Sequence, residues 1–173
     1  MKKTFYIFLL TALLAACTND KDPDNQTSSD ETSLQSKLQK TKPMTSAELQ
    51  AAFPQQIYDL KLDKEPVIVN QTISGHFGGR KITLGITDAA GENYRSATYF
   101  QDALNDNSFE NTEDTKYIKK ERDGIPTFAK YYVGSHTELE FLYQDRFYIN
   151  LVSEIPPDEL WAVFDLDALK DFK

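Results

Sequence analysis

Apolar and polar positions alternate from Val67 to Phe77. Val67, Val69, Ile73 and Phe77 take one side, while Asn70, Thr72, Ser74 and His76 take the other. Ile82, Leu84 and Ile86 resume the alternation after Gly78-Gly79. A two-residue Gly-Gly turn pairs Ile73 with Leu84 and Gly75 with Ile82, so the apolar faces coincide and a β-hairpin is predicted. A second hairpin follows near the end of the chain. Leu139, Phe141 and Tyr143 alternate with Glu138 and Glu140, and Phe147, Ile149 and Leu151 alternate with Tyr148 and Asn150. A three-residue loop, Gln144-Asp145-Arg146, pairs Leu139 with Leu151 and buries one consistent face, whereas a two-residue loop sets Leu139 against Asn150. Between these hairpins, Tyr94, Ala97, Phe100, Gln101 and Leu104 recur at helical spacing. Lys116–Glu121 and Ile125–Val133 are predicted strands joined by Asp123-Gly124.

Helices bracket the strands. Thr45-Ser46-Ala47-Glu48 is a capping box that opens a short helix, which Pro54 ends. Pro156-Pro157 opens another, with Leu160, Trp161 and Phe164 on one stripe. Asp165 caps a last turn carrying Leu166, Leu169 and Phe172. The order helix, strands, helix, strands, helix predicts an α+β fold: a twisted antiparallel sheet of about five or six strands with helices packed on it.

The N-terminus reads differently. Lys2 and Lys3 precede an apolar run, Phe5 to Ala16, interrupted only by Thr11. It falls short of the roughly 20 apolar residues of a spanning helix and has the plan of an export signal. It ends in Leu14-Ala15-Ala16-Cys17, which resembles the lipobox of bacterial lipoproteins at all four positions. The resemblance implies cleavage before Cys17, a diacylglycerol thioether on its sulfur and an acylated amine. Thr18 follows, where Asp would favour inner-membrane retention in Gram-negative sorting, so the resemblance implies the outer membrane. Asp20, Asp22 and Asp24 resemble a surface-export signal, with Lys21 interrupting them.

Residues 1–16 are therefore read as signal peptide, 17–44 as lipidated Cys17 plus a polar tether, and 45–173 as one globular domain. The tether is poor in apolar residues and has little surface to bury. As a coil it spans about 25–30 Å. A short helical stretch is expected near Leu34–Leu38.

Composition narrows the partners. The chain has 173 residues with 19 Lys+Arg against 27 Asp+Glu, a net charge of -8. Residues 45–173 carry 22 acids and 13 bases, a net of -9. That balance argues against nucleic acid, which selects a basic face. One Cys excludes an intrachain disulfide, and one Cys with two His argues against a Cys/His zinc site. No cofactor motif is present: Gly78-Gly79 sits at a hairpin tip, with no helix behind it to cradle phosphate. The Asp102–Asp114 run lacks the spacing of a calcium loop.

Catalysis finds little support. Ser74-Gly75-His76 and Ser135-His136 are the Ser/His neighbours, and both read as polar surface. Asp88/Glu92 and Asp165/Asp167 read as acids at helix starts. Lys119-Lys120-Glu121-Arg122 reads as a solvated edge. The candidate binding face is the outward ladder of the first hairpin: Thr72, Ser74 and His76, with His76 opposite Lys81, and Thr83 beside it. Tyr131, Tyr132, Tyr143, Tyr148 and Trp161 are a second candidate, as interface aromatics. Gly124-x-Pro126, Tyr131-Tyr132, Asp145-Arg146-Phe147 and Asp165-Leu166-x-x-Leu169 resemble a pattern in small exported bacterial proteins, and the element order is similar to PsbP/Mog1-like domains. The expected function is a lipid-anchored, non-catalytic binding or adaptor module of the envelope, membrane-held through Cys17, with a protein or small amphiphile as partner. An immunity-type lipoprotein neutralising an envelope toxin and a small envelope hydrolase are the alternatives.

Overall fold

The computed structural model describes residues 34–173. Its elements, in chain order, are a helix α1 covering 34–40, α2 (Ser46–Ala52), β1 (Gln56–Ile57), β2 (Leu60–Lys61), β3 (Val67–Val69), β4 (Thr72–Phe77) and β5 (Ile82–Asp88). A 3-10 turn (Gly91–Tyr94) leads into α3 (Arg95–Asn105), then β6 (Thr115–Arg122), β7 (Ile125–Tyr132), β8 (His136–Tyr143) and β9 (Phe147–Ser153). The chain closes with α4 (Pro157–Val163) and a second 3-10 turn (Leu166–Leu169). β3 to β9 form a seven-stranded antiparallel sheet in the order β3-β4-β5-β9-β8-β7-β6, and β1-β2 is a separate small hairpin. The α+β class stands; the strand number exceeds the expected five or six.

Alternation sets two faces. Ile73, Leu84, Ile86, Leu139, Phe141, Ile149 and Leu151 are fully buried on the inner face. Leu49 and Phe53 at α2, Leu160 of α4, and Leu169 and Phe172 at the C-terminus pack there. Phe141 meets Trp161 edge-on at 5.3 Å, and Phe147 meets Phe172 in the same way at 5.3 Å. α1 and α3 cover part of the outer face: Phe100 lies 6.4 Å from Tyr148, and Leu38 is buried with Ala89 and Ala97. Over β3, β4 and β5 the outer face is left uncovered among the described residues, and Val67 and Val69 are 62% and 61% exposed.

Four expectations need correction. First, Val67 to Phe77 is not one strand. Asn70 and Gln71 both adopt left-handed φ (47° and 63°) and turn the chain, so Val67 pairs with Ser74 and Val69 with Thr72. A two-residue turn reverses the phase, which puts Val67 and Val69 on the outer face and Ile68 on the inner. Second, the Gly78-Gly79 loop holds four residues. Gly78, Gly79 and Arg80 all have positive φ, and the Asp63 carboxylate accepts from the N–H groups of Gly79 (2.7 Å) and Arg80 (2.8 Å). Ile73 therefore pairs with Ile86 and Gly75 with Leu84, a shift of two that keeps the faces. Third, the folded part starts before Thr45: α1 buries Leu38, and the Met44 N–H donates to Asp88 at 2.7 Å. Fourth, Arg122 is not solvated. It is 5% exposed and its Nη2 lies 2.7 Å from Asp158 of α4. Lys119, Lys120 and Glu121 do line an exposed edge on β6. Residues 1–33, with the lipobox and Cys17, lie outside the described residues.

The second hairpin has the expected register. Leu139 faces Leu151, Phe141 faces Ile149 and Tyr143 faces Phe147. The capping box at Thr45 and the cap at Asp165 form as expected. Gly75 shows how tight the inner layer is. A Cβ there would sit 2.8 Å from both Leu62 Cδ1 and Phe53 Cε1. Gly75→Ala should therefore cost about 1–3 kcal/mol, read as a lower urea midpoint with unchanged m; an unshifted midpoint would show that Leu62 and Phe53 yield freely.

Candidate functional site

The predicted ladder forms, with shifted partners. Thr72 faces Thr87 with their hydroxyls 2.8 Å apart, and Ser74 faces Gly85. His76 faces Thr83 rather than Lys81, its Nδ1 lying 2.8 Å from the Thr83 hydroxyl. Lys81 belongs to the loop. It lines a cleft of about 380 Å³ with Tyr58, Leu60, Arg80, Ile155 and Val163. The structure thus brings Thr72, Ser74, His76 and Thr83 together on the open outer face and removes Lys81 from it. The aromatics Tyr131, Tyr132, Tyr143, Tyr148 and Trp161 are all half-buried.

A second cluster, which the alternation pattern does not reveal, runs along the outer side of β8. His136, Glu138 and Glu140 are spaced by two and so share this face. Across β7, Lys130 pairs with Glu138. Its ammonium lies 3.7 Å from Glu138 and 3.5 Å from Glu140. His136 Nε2 is 3.6 Å from Glu138, and its Nδ1 is 2.9 Å from the Ser135 hydroxyl. The Tyr132 ring stacks on the imidazole at 4.5 Å. On β9, Asn150 lies opposite Glu140 and Tyr148 opposite Leu142. Beside this line, Phe109 stacks on Tyr117 at 4.9 Å, and Lys130 sits 5.7 Å above Phe128.

Glu140 is the unusual member. It is 3% exposed, and its Oε2 has no hydrogen-bond partner among the described residues. Burial raises its pKa above the ordinary carboxylate value, with the Lys130 charge opposing this. Burial lowers the Lys130 pKa, but the Glu140 charge and its neighbours outweigh that and leave it raised. The Tyr148 phenol is pushed up by burial first and by the Glu140 charge second. A carboxylate that holds its proton more tightly when folded contributes most below its unfolded value, and that contribution falls as pH rises through the folded value. Glu140→Gln should therefore stabilise the fold at neutral pH by about 1 kcal/mol, because Lys130 keeps Glu138 as partner. Chemical denaturation at pH 4 and pH 7 checks this. A variant less stable than the parent at pH 7 would contradict it.

Other clusters are structural. Asp88 is fully buried, not a helix-start acid in solvent. Its Oδ1 accepts from Arg146 Nε (2.8 Å) and the Ala90 N–H (3.1 Å), and its Oδ2 from Arg146 Nη2 (2.8 Å) and Met44. Arg146 also donates to the carbonyls of Lys42 and Lys173, and its guanidinium lies 4.9 Å over Phe147. It ties the N-terminal approach, the sheet and the chain end together.

For catalysis, Ser135-His136-Glu138 is the arrangement to weigh. A Glu-oriented imidazole beside a hydroxyl is general-base geometry, but it asks for hydrogen-bond reach on both sides. The carboxylate at 3.6 Å exceeds that reach, and the imidazole sits 37% exposed at a hairpin end. Among the described residues, no group of three or more His, Cys, Asp or Glu is placed to hold a metal, and no helix is long and apolar enough to cross a membrane. Comparison with protein-family models, with curated proteins and with solved structures finds no match to this chain.

Proposed function

We propose that this chain is a lipid-anchored envelope lipoprotein whose folded head is a non-catalytic binding or adaptor module. The observation that carries the binding role is the uncovered outer face of β3–β5. It sets exposed Val67 and Val69 beside the Thr72, Ser74, His76 and Thr83 ladder. Exposed valines on a sheet face leave apolar area for a partner to bury, and the polar ladder adds directional donors and acceptors. The anchor rests on Leu14-Ala15-Ala16-Cys17, with the outer membrane as its site and a protein as partner.

Crosslinked pull-down from detergent-solubilised membranes tests the binding role. The parent chain should recover a defined envelope protein, and Val67→Lys with Val69→Lys should reduce recovery at least about 10-fold, since two buried aliphatic side chains are worth well over 1.4 kcal/mol. Equal recovery by the double variant would remove this face from the account. Recovery of a single toxin would move the reading to the immunity type.

A further inference from the structure

We infer that Glu140 anchors a binding site for a primary ammonium group, on the outer face between α3 and strands β7–β9. The inference is independent of lipidation at Cys17 and of what docks on β3–β5.

Charge and valence both lead there. Glu138 and Glu140 bring two carboxylates together with Lys130 as the one ammonium between them, and the His136 imidazole lies 3.6 Å from Glu138. Lys130 is shared between the carboxylates at 3.7 and 3.5 Å, too far to form a short charge-assisted hydrogen bond with either. Lys119, in the neighbouring row, gives its ammonium to the Asp106 carbonyl. The Tyr148 phenol and Lys130 are hydrogen-bond partners of the Glu140 carboxylate, but among the described residues its Oε2 is a buried acceptor without one. Native proteins seldom leave such an atom unpaired, and the exceptions trace to strain, to a functional role or to a donor from outside the chain. An R–NH3+ group supplies a donor for Oε2 and a second ammonium beside the two carboxylates.

The surroundings suit an amine. Tyr148 is half-buried beside Glu140, and the Tyr99 ring on α3 is 52% exposed. Aromatic faces next to carboxylates favour cations. Lys130 and Glu138, beside Glu140, reach the surface, with their side chains 18% and 31% exposed. Lys130 is the built-in competitor, as a tethered ammonium that reaches both acids imperfectly.

Calorimetric titration of the full chain with n-butylammonium chloride, against matched sodium chloride and n-butanol, provides the test. The expected result is saturable binding with Kd about 1 mM, within the ceiling for a five-heavy-atom ligand. Glu140→Gln should lose binding by at least about 10-fold while keeping its circular dichroism spectrum. Lys130→Met should bind about 10-fold tighter, because the competing cation is gone; a purely structural Glu140 would not produce that gain. Vesicles separate the sources of the ammonium. Retention on phosphatidylethanolamine but not phosphatidylcholine vesicles assigns a lipid headgroup, and saturation by butylammonium without retention assigns a soluble amine. No heat with butylammonium, equal binding of butanol, or undiminished binding by Glu140→Gln overturns the inference.

Discussion

Arg146→Ala should be the most damaging single change in the folded part, costing about 3–5 kcal/mol. Asp88 is fully buried, and the guanidinium makes two of its four hydrogen bonds. Removing the arginine leaves a carboxylate that can neither reach water nor find a counter-ion. The variant also frees the carbonyls of Lys42 and Lys173, so the segment before α2 and the chain end should both lose hydrogen-exchange protection. The loss has a pH signature. Burial works to raise the Asp88 pKa, but the Arg146 hydrogen bonds and the N–H groups of Met44 and Ala90 outweigh it, and the net value is lowered. A lowered acid contributes its full stability above its ordinary value and loses it as pH falls through the folded value. The gap between parent and variant should therefore be widest near neutral pH and should shrink below about pH 4. Urea denaturation across this range gives the measurement, and a gap independent of pH would assign the loss to packing of Arg146 on Phe147 instead.

Cys17→Ser should abolish the mature, lipid-held form of the chain. In the proposed lipoprotein, three buried acyl chains at about 0.8 kcal/mol per CH2 would hold far more strongly than the marginal binding of a single chain. With the sulfur gone, neither the thioether nor the cleavage that depends on it forms. The expected outcome is at least about 100-fold less mature protein in detergent-phase partition, with unprocessed precursor accumulating. Parent-like processing of the variant together with parent-like partition would show that neither a lipid on Cys17 nor the cleavage that depends on it makes the attachment.

Much of the fold is written in alternation. β8 and β9 are apolar at every second position, so only one loop length satisfies both, and Leu139 opposite Leu151 follows. Gln144 and Asp145 accept left-handed φ of 53° there without glycine. Val67-Ile68-Val69 is apolar at every position and carries no phase, so nothing in it reveals that Asn70-Gln71 turns the chain. The Gly78-Gly79 loop was extended by Asp63, 16 residues before Gly79, which no local pattern encodes. Of the binding face, Thr72, Ser74, His76 and Thr83 were legible from period two, and Lys81 was displaced by that register shift. Glu140 was not legible. Glu138 and Glu140 alternate with Leu139 and Phe141 and so mark a solvent face, until α3 packs over β8 and buries one of them. Asp88 and Arg146 are 58 residues apart, and their meeting is a product of the β5–β9 pairing.

Intact mass and sequencing of the mature N-terminus, after growth with a palmitate analogue, test the lipid-anchored reading most directly. The account predicts a chain that begins at Cys17, carries the label on that residue, and loses both features in Cys17→Ser. An unlabelled mature chain, or one beginning elsewhere, contradicts it.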